Sequence, residues 1–281
     1  MNGDVCKICG AKALLLFKHT ARCSNCGILA YYPYPAREEL EPFVTPRQER
    51  IARWERWYEA SAWNNHWNFS SMIQFALSGN NSPGYLDILD YGGGGGQFAL
   101  VCTSMLPHAS VYTTDIDDDA LLPKYAVYNQ KIAQADFAEH RQLYDFIFLN
   151  DVFEHVVDPL GVLTLLKSKL KENGCIFIDT PRIFWIYPFL RLVSKKLYHK
   201  LCLGTVNGAH LQLWSKKAFI QVVKKSGLQL YKYQEITEFT RKPDYYLDRM
   251  TLHNPLIRLA GLFLYQNARF LARNKILAVL R

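Results

Sequence analysis

The sequence feature that most constrains the fold is a run of five glycines between an apolar strand and an apolar helix. Residues 86–98 read LDILDYGGGGGQF, and residues 97–105 (QFALVCTSM) predict a helix. A strand that ends in glycines and leads into a helix is typical of the first unit of a doubly wound, nucleotide-binding sheet. Glycine is needed because the turn demands unusual φ values and because a Cβ would block a ligand from the backbone. A flexible linker is one alternative, but it is not expected between two apolar elements. A dinucleotide fingerprint is the other, although only Gly94, Gly96 and Ala99 fit its relaxed form and they start late relative to the strand.

The amino-acid composition is that of a globular protein with one large α/β domain and a small appendage. Of the 281 residues, 49% are hydrophobic and 21% are charged, as in soluble domains. The sequence has no apolar run near the ~20 residues that cross a bilayer, and residues 1–10 lack a secretory pattern. We therefore expect a cytoplasmic protein, whose seven cysteines are thiols or metal ligands rather than disulfides.

Four cysteines near the N-terminus have the spacing of a zinc ribbon. Cys6 and Cys9 form one C-x-x-C pair, Cys23 and Cys26 form a second, and a glycine follows each pair. Four thiolates in this arrangement predict a closed, tetrahedral Zn²⁺ site with a structural role. We expect a ribbon module over residues 1–35. A fold of about 30 residues buries too little apolar surface to be stable without such a metal site. We also expect its core to be separate from that of the main domain.

Residues 36–84 predict an aromatic-rich helical segment that links the ribbon to the main domain. Trp54, Trp57 and Tyr58 fall at helical spacing. We interpret the segment as a helix that packs on the main domain. The alternative is a lid, in which these aromatic side chains and His66 cover the active site.

Strands and helices alternate after the glycine run, as expected for a doubly wound sheet. Six further strands are predicted, at residues 109–114, 131–135, 144–149, 174–179, 228–236 and 275–281. Asp158 and Pro159 predict the start of a helix after the fourth strand. Ser215 predicts the cap of another helix, which runs to Lys225.

Acidic residues follow the second and third predicted strands. Asp115 lies about 20 residues past the glycines, where a carboxylate accepts hydrogen bonds from ribose hydroxyls. We therefore predict Asp115 as a ribose ligand, with Ile116 against the adenine. In the alternative, the acids at 117–119 cap the next helix. Asp136 and Phe137 follow the third strand, and an ordinary turn aspartate is the alternative explanation there.

In order along the chain, these motifs resemble those of class I S-adenosylmethionine-dependent methyltransferases that carry a zinc ribbon and are related to the ubiquinone-biosynthesis O-methyltransferases. Besides the ribbon, three segments carry the resemblance: DYGGGGG at 90–96, EHVVDP at 154–159 and HLQLWS at 210–215. It implies a Rossmann-like, seven-stranded α/β sheet with helices on both faces, in a methyltransferase domain at residues 85–281 that binds S-adenosylmethionine. The implied cofactor contacts are Asp90, Tyr91, Gly92, Gly94, Gly96, Asp115, Ile116, Asp136, Phe137 and Asn150.

Four polar residues are predicted to form the acceptor site, because ligands bind at the carboxyl ends of the strands in such sheets. Asp151, Glu154 and His155 follow the fourth strand, and His210 follows the fifth. In one interpretation, a histidine is the general base that removes a hydroxyl proton. In a second, the four residues hold a divalent metal such as Mg²⁺. The resemblance of D-x-x-E-H to the metal-binding E-x-x-E-H of some ubiquinone and small-RNA 2′-O-methyltransferases implies this second role. In a third, they only orient the loop.

We therefore predict a methyltransferase that acts on a hydroxyl of a sugar, a glycan precursor or another small metabolite, with a histidine base. An RNA 2′-O-methyltransferase with a divalent metal is the alternative enzyme. A non-catalytic S-adenosylmethionine-binding protein is the third interpretation, and the intact acidic and histidine motifs argue against it.

The net charge of +8 is concentrated in the C-terminal third of the chain. Residues 182–281 hold 18 Lys and Arg against 4 Asp and Glu, and they include two variable insertions, 182–207 and 238–274. Basic and apolar residues alternate at 182–200 and 252–273, and the second stretch predicts an amphipathic helix. This pattern favours an acceptor that carries phosphate, or peripheral contact with the inner membrane surface. Nucleic acid is a further anionic partner. Two alternative explanations are a solvated basic face and apolar faces that pack on the sheet or form a dimer.

Overall fold

The computed structural model describes residues 5–17, 19–40, 45–79, 84–183, 206, 210–238 and 273–281, together with residues 255–256, 258–259 and 262–263. The predicted basic segment at 182–200 lies outside the described residues from residue 184 onward. The predicted helical insertion at 252–273 also lies outside them, apart from the short pieces named above.

The secondary structure alternates between strands and helices over most of the chain. The strands are β1 (Ala13–Phe17), β2 (Thr20–Cys23), β3 (Leu29–Tyr31), β4 (Leu86–Tyr91), β5 (Ala109–Thr114), β6 (Gln130–Lys131), β7 (Tyr144–Asn150), β8 (Leu170–Pro181), β9 (Gln212–Leu213), β10 (Leu230–Ile236) and β11 (Lys275–Leu280). The α-helices are α1 (Arg47–Leu77), α2 (Gln97–Met105), α3 (Pro159–Ser168) and α4 (Lys216–Lys225). Within the described residues, no helix is both long enough and apolar enough to span a membrane.

The main sheet has seven strands within the described part of the chain, in the order β10–β11–β8–β7–β4–β5–β6. β4 is parallel to both β5 and β7, and β7 is parallel to β8. β11 is antiparallel to its neighbours β8 and β10. The strand order reverses between β4 and β7, which is where doubly wound sheets bind their ligands. The predicted Rossmann-like α/β fold with seven strands is therefore confirmed.

Apolar side chains cover both faces of this sheet. Phe146 and Phe148 of β7 lie in one buried cluster with residues of α1 and α2. Ile147 and Leu149 of the same strand lie in another, with residues of α3 and α4. Successive strand residues point to opposite faces, so a parallel sheet is buried on both sides and its strands read as continuous apolar runs.

Two helices begin at the residues that the sequence predicts. The Asp158 carboxylate accepts a hydrogen bond from the Gly161 N–H at 3.0 Å, and α3 follows. The Ser215 hydroxyl accepts one from the Ala218 N–H at 3.0 Å, and α4 runs to Lys225. Each cap satisfies an N–H group that the first helical turn leaves without a partner.

The third strand and the segment before it differ from the prediction. The strand was expected at 131–135, but β6 has only two residues, because the Gln134 N–H donates to the Asp118 carboxylate instead of to a neighbouring strand. Asp117 was an alternative helix cap. It instead binds the Arg50 guanidinium, and the next helical residues form a 3₁₀ turn at Pro123–Tyr128.

The four-cysteine module forms a second sheet, in the order β1–β2–β3–β9. Its last strand, β9, comes from far along the chain and pairs with β3, so that Leu213 lies opposite Leu29. Cys26 and Ile28 of the module share one buried cluster with Phe219 of α4. The expectation of a separate ribbon core is therefore wrong, because the module and the main domain bury their apolar side chains against each other.

Candidate active site

The glycine run forms a tight loop between β4 and α2. Gly92, Gly94 and Gly96 have φ values of 77°, 50° and 84°, in the left-handed region that glycine adopts without strain. A Cβ added to Gly92 would lie 2.5 Å from Cγ2 of Val152, closer than any side chain tolerates. The loop therefore requires glycine both for its backbone conformation and for space.

Asp115, the predicted ribose ligand, lies beside this loop at the end of β5. Its Oδ2 accepts a hydrogen bond from the Gly94 N–H at 2.9 Å, and its Oδ1 accepts one from the Asp117 N–H at 2.8 Å. Burial raises the pKa of Asp115 to about 6, although these two bonds oppose the shift. Ile116, the next residue, is exposed.

Asp90, at the carboxyl end of β4, is a buried carboxyl group beneath the same loop. Its Oδ1 lies 3.4 Å from the Asn150 side-chain amide, and its Oδ2 has no hydrogen-bond partner among the described residues. Burial, followed by the charge of Asp115, raises the pKa of Asp90 to about 8. A buried acceptor of this kind is costly unless a ligand completes it.

The residues after β6 divide between the core and the surface. The Phe137 ring is buried, with its centroid 5.5 Å from that of Tyr91. Asp136 is exposed, in a turn that its own N–H closes by donating to the Ala133 carbonyl at 3.0 Å. Tyr91 and Phe137 thus form an apolar wall next to the end of β4.

Helix α1 contacts the glycine loop and the loop after β5 through Tyr58, one of the aromatic residues of the alternative lid, and through Arg50, which sequence reasoning did not assign. The Tyr58 hydroxyl accepts a hydrogen bond from the Gly95 N–H at 2.7 Å. The Arg50 guanidinium makes a buried, bidentate pair with the Asp117 carboxylate, at 2.7 and 2.8 Å. Helical spacing in the sequence predicted the helix, but it could not indicate which side chains face the loop.

Glu154, His155 and His210 come together beyond the ends of β7 and β8. Glu154 is buried, and its Oε2 accepts a hydrogen bond from the Thr180 hydroxyl at 2.9 Å. Its Oε1 lies 3.7 Å from Nε2 of His155. The rings of His155 and His210 meet edge to face, with centroids 4.8 Å apart. The structure therefore brings together three of the four predicted acceptor-site residues.

Asp151, the fourth predicted residue, is directed to Lys275 instead. Its φ is 52°, and its carboxylate lies 2.8 Å from the Lys275 ammonium. The same ammonium contacts Asp179 at 2.6 Å and Glu238 at 3.1 Å. Along the chain, Lys275 is 124 residues from Asp151 and 96 residues from Asp179, which is why no local motif revealed it.

Burial changes the protonation of several groups in this region. Burial raises the pKa of Glu154 to about 7, against the opposing effect of His155. Burial, together with the charge of His155, lowers the pKa of His210 to about 4. Burial also disfavours the charge of Lys275, but its three carboxylate partners raise its pKa well above the usual range. His210 is therefore neutral and Lys275 charged at neutral pH.

The four N-terminal cysteines also come together. Their Sγ atoms all lie within 4.8 Å of one another; those of Cys6 and Cys26 are 3.6 Å apart, and those of Cys9 and Cys23 are 3.3 Å apart. The N–H group of Cys26 points at the Cys23 sulfur at 3.4 Å. The hydrogen bond from Cys26 lowers the pKa of the Cys6 thiol to about 5, which favours a thiolate.

Comparison with known proteins identifies the family to which these features belong. A family model described as a methyltransferase domain matches residues 30–233, which is more than half of the chain. The chain belongs to this methyltransferase family. No curated protein matches the sequence of the methyltransferase.

Solved structures share the fold of the methyltransferase. One is the magnesium protoporphyrin IX methyltransferase of Synechocystis PCC 6803 with bound SAH, at 15% identity and a TM-score of 0.52, covering 84% of this chain and 95% of that one. Another is a plantazolicin methyltransferase with SAH and a desmethyl analogue, at 15% identity and a TM-score of 0.57, covering 86% and 93%. SAH is the product that S-adenosylmethionine leaves after methyl transfer.

The glycine loop and the acidic residues around it suit the binding of S-adenosylmethionine. A loop without Cβ atoms lets a ligand approach the backbone closely, and the buried Oδ2 of Asp90 offers an acceptor without a protein partner in the described residues. S-adenosylmethionine carries an ammonium group, a sulfonium and two ribose hydroxyls. Asp90 and Asp115 are therefore suited to hold its positive and hydrogen-donating groups.

Proposed function

We propose that the enzyme methylates a hydroxyl group of a small acceptor, with His155 as the general base. The observation that carries the proposal is the pairing of His155 with a buried carboxylate, Glu154, at 3.7 Å. Thr180 donates a hydrogen bond to that carboxylate and so fixes its orientation. When bound, S-adenosylmethionine supplies a methyl group on a sulfonium, ready for in-line transfer to a nucleophile.

The surroundings of His155 suit proton removal. Histidine is the side chain whose ordinary pKa best matches proton transfer near neutral pH. A proton taken by His155 creates an imidazolium, which the neighbouring Glu154 carboxylate stabilises. His210 has a pKa of about 4 and stays neutral, so it adds no positive charge that would oppose this protonation.

The acceptor is inferred from the chemistry of the site, because the fold does not define it. The two neighbouring structures are named for unrelated compounds, magnesium protoporphyrin IX and plantazolicin. A histidine base suits a hydroxyl, which supports a sugar, a glycan precursor or another small metabolite. A phosphate on the acceptor remains a prediction from the basic sequence at 182–200.

The test is transfer of a labelled methyl group to nucleotide sugars and glycan extracts. We expect His155→Gln to reduce the transfer at least ~100-fold, which is the usual contribution of a general base. Affinity for SAH should not change, because His155 is not among the residues assigned to the cofactor. His108→Gln, at an exposed histidine, is the matched control and should keep the native rate. Native turnover by His155→Gln would reject the base.

A metal-assisted RNA methyltransferase is the second candidate. The ligand atoms of Glu154, His155 and His210 lie within 4.8 Å of one another, and mixed carboxylate and imidazole donors bind divalent metals. Asp151 weakens this candidate, because its carboxylate is already bound to Lys275. Transfer to a short RNA that chelation abolishes and Mg²⁺ restores would favour it over the base mechanism.

We also propose that the four cysteines hold one structural Zn²⁺. Four sulfur ligands within 4.8 Å of one another make a closed tetrahedral site with no position for a substrate. Elemental analysis of reduced protein should find one zinc per chain. Cys26→Ser should lose it, whereas Cys102→Ser, at a buried cysteine of α2, should retain it. Reduced native protein without zinc would reject the site.

A further inference from the structure

We infer that β9 connects the four-cysteine module to the acceptor site, so that the module holds the residues of that site in position. Gln212 is the positioning residue through which the module holds the loop that carries Glu154 and His155. This inference rests on the proposed roles of His155 and of the zinc site. It adds to them a physical connection between two sites that the sequence separates.

On one side, β9 belongs to the sheet of the module. Gln212 lies opposite Ala30 in the antiparallel register. The Tyr31 N–H donates to the Leu211 carbonyl at 2.8 Å, immediately before β9. β9 therefore follows any displacement of β3, whose position depends on the cysteine cluster.

On the other side, the same segment binds the loop that carries Glu154 and His155, which we call the catalytic loop. The N–H groups of Leu211 and Gln212 both donate to the Glu154 carbonyl, at 2.9 and 3.1 Å. The Gln212 side-chain amide donates to the Val156 carbonyl at 2.7 Å and lies 3.5 Å from that of Phe153. Gln212 is fully buried, so water cannot replace these bonds if they break.

Residues on either side of β9 strengthen the connection. His210 lies two positions before it, and Trp214 directly after it stacks on Phe153, with ring centroids 4.7 Å apart. The Ser215 hydroxyl donates to the carbonyl of Cys26, a zinc ligand in the proposed site. A shift of β9 would therefore move His210 and the loop of His155 together.

The first test is Gln212→Met in the full, zinc-loaded chain with saturating SAH at fixed pH. Methionine fills a similar volume but cannot donate to the loop carbonyls. We expect the imidazole carbon and proton NMR signals of His155 and His210 to shift. Zinc content and SAH affinity should stay native. His66 and His108 are exposed and serve as internal references that should not shift.

Lys217→Ala is the matched control for this variant. The Lys217 ammonium donates to the backbone carbonyl and the side chain of Asn25, at 2.9 and 2.8 Å, in an exposed contact. It therefore joins α4 to the module without touching the catalytic loop. The control should give native signals for His155 and His210.

The second test removes zinc by chelation in the cold, with SAH bound. We expect the signals of His155 and His210 to move away from their native positions while SAH remains bound. The inference is wrong if Gln212→Met keeps zinc and SAH but leaves both signals native, and equally wrong if the folded, zinc-free protein does. Full turnover by His155→Gln would reject His155 as the general base but would not affect the comparison of the NMR signals. Purified protein without zinc would reject only the proposed zinc site.

Discussion

Several acidic side chains are buried where the parallel strands of the main sheet end, and burial changes their pKa values. Burial raises the pKa of Asp90 to about 8 and that of Glu154 to about 7. Burial also raises the pKa of Asp179 well above the usual range, although Lys275 opposes the shift. Asp90 therefore holds a proton near neutral pH in the cofactor-free protein, so the stability of that protein depends on pH.

The stability of the cofactor-free protein should fall as the pH rises, and Asp90→Asn should reduce this dependence. The pKa of Asp90 is about 8 in the folded protein against an ordinary 3.8. Between these values the folded state keeps a proton that the unfolded chain releases, so the free energy of unfolding decreases with pH. The proton on Asp90 changes the free energy of unfolding by at most ~1.4 kcal/mol per pH unit. Asparagine cannot ionise and removes it.

Urea unfolding at several pH values measures the effect of Asp90→Asn. Asp136→Asn, at an exposed carboxylate, is the control and should keep the native slope. Parallel pH profiles for Asp90→Asn and the native protein would contradict the assignment of Asp90 as a buried, protonated acid.

The sequence predicted candidate site residues in the segments that follow strands, because strand ends meet at one edge of the sheet. Glu154 and His155 were found in this way, and they do lie against His210. Tyr58 was named only among the aromatic residues of the alternative lid. Arg50 and Lys275 were not found, because tertiary packing alone brings them to the site from distant elements. In the sequence, Lys275 is the polar first residue of a predicted strand, and nothing in that pattern indicates that its side chain is buried.

At the scale of elements, two arginines of very different burial join α1 to the loop that follows β5. Arg50 is buried, with 10% of its side chain exposed, against Asp117. Arg47, one turn earlier, is 64% exposed and pairs with Asp119 at 2.8 Å. Exposed pairs contribute little to stability, whereas breaking a buried pair leaves a charge without a partner.

Arg50→Met should therefore destabilise the protein by about 3–5 kcal/mol, whereas Arg47→Met should cost less than about 1 kcal/mol. Chemical denaturation measures both. Loss of the Arg50 anchor also frees α1 from the loop that follows β5 and holds Asp115 and Asp117, so SAH should dissociate faster from Arg50→Met in stopped-flow experiments. Equal losses of stability in the two variants would show that the buried pair does not anchor the helix.

Long, periodic elements were predictable and short ones were not. The apolar runs of β4 and β7 and the capped helices α3 and α4 were expected close to their observed positions. β9 has two residues, too few for any periodicity, and only its pairing with β3 defines it as a strand. β6 is shorter than expected for a different reason, the hydrogen bond from the Gln134 N–H to the Asp118 carboxylate.

For the whole molecule, the shared core predicts one cooperative unfolding transition that depends on zinc. Chelation should lower the melting temperature of the entire chain, by about 2–4 °C for each kcal/mol that is lost. Cys26→Ser should melt at a low temperature that chelation no longer changes, and Cys102→Ser should still respond to chelation. Calorimetry that shows the module melting alone, before an unchanged main transition, would contradict this view.

The two-residue strand β9 also determines when the N-terminal sheet can be completed during translation. Residues 5–31 are synthesised early, but their sheet lacks its fourth strand until residues 212–213 follow. Cys26 and its bonding partner Ser215 are 189 positions apart. The nascent chain therefore leaves the edge of β3 open while most of the protein is made, and such long-range closure folds slowly. In that interval the early cysteines are open to oxidation, and the unpaired strand is open to chaperones.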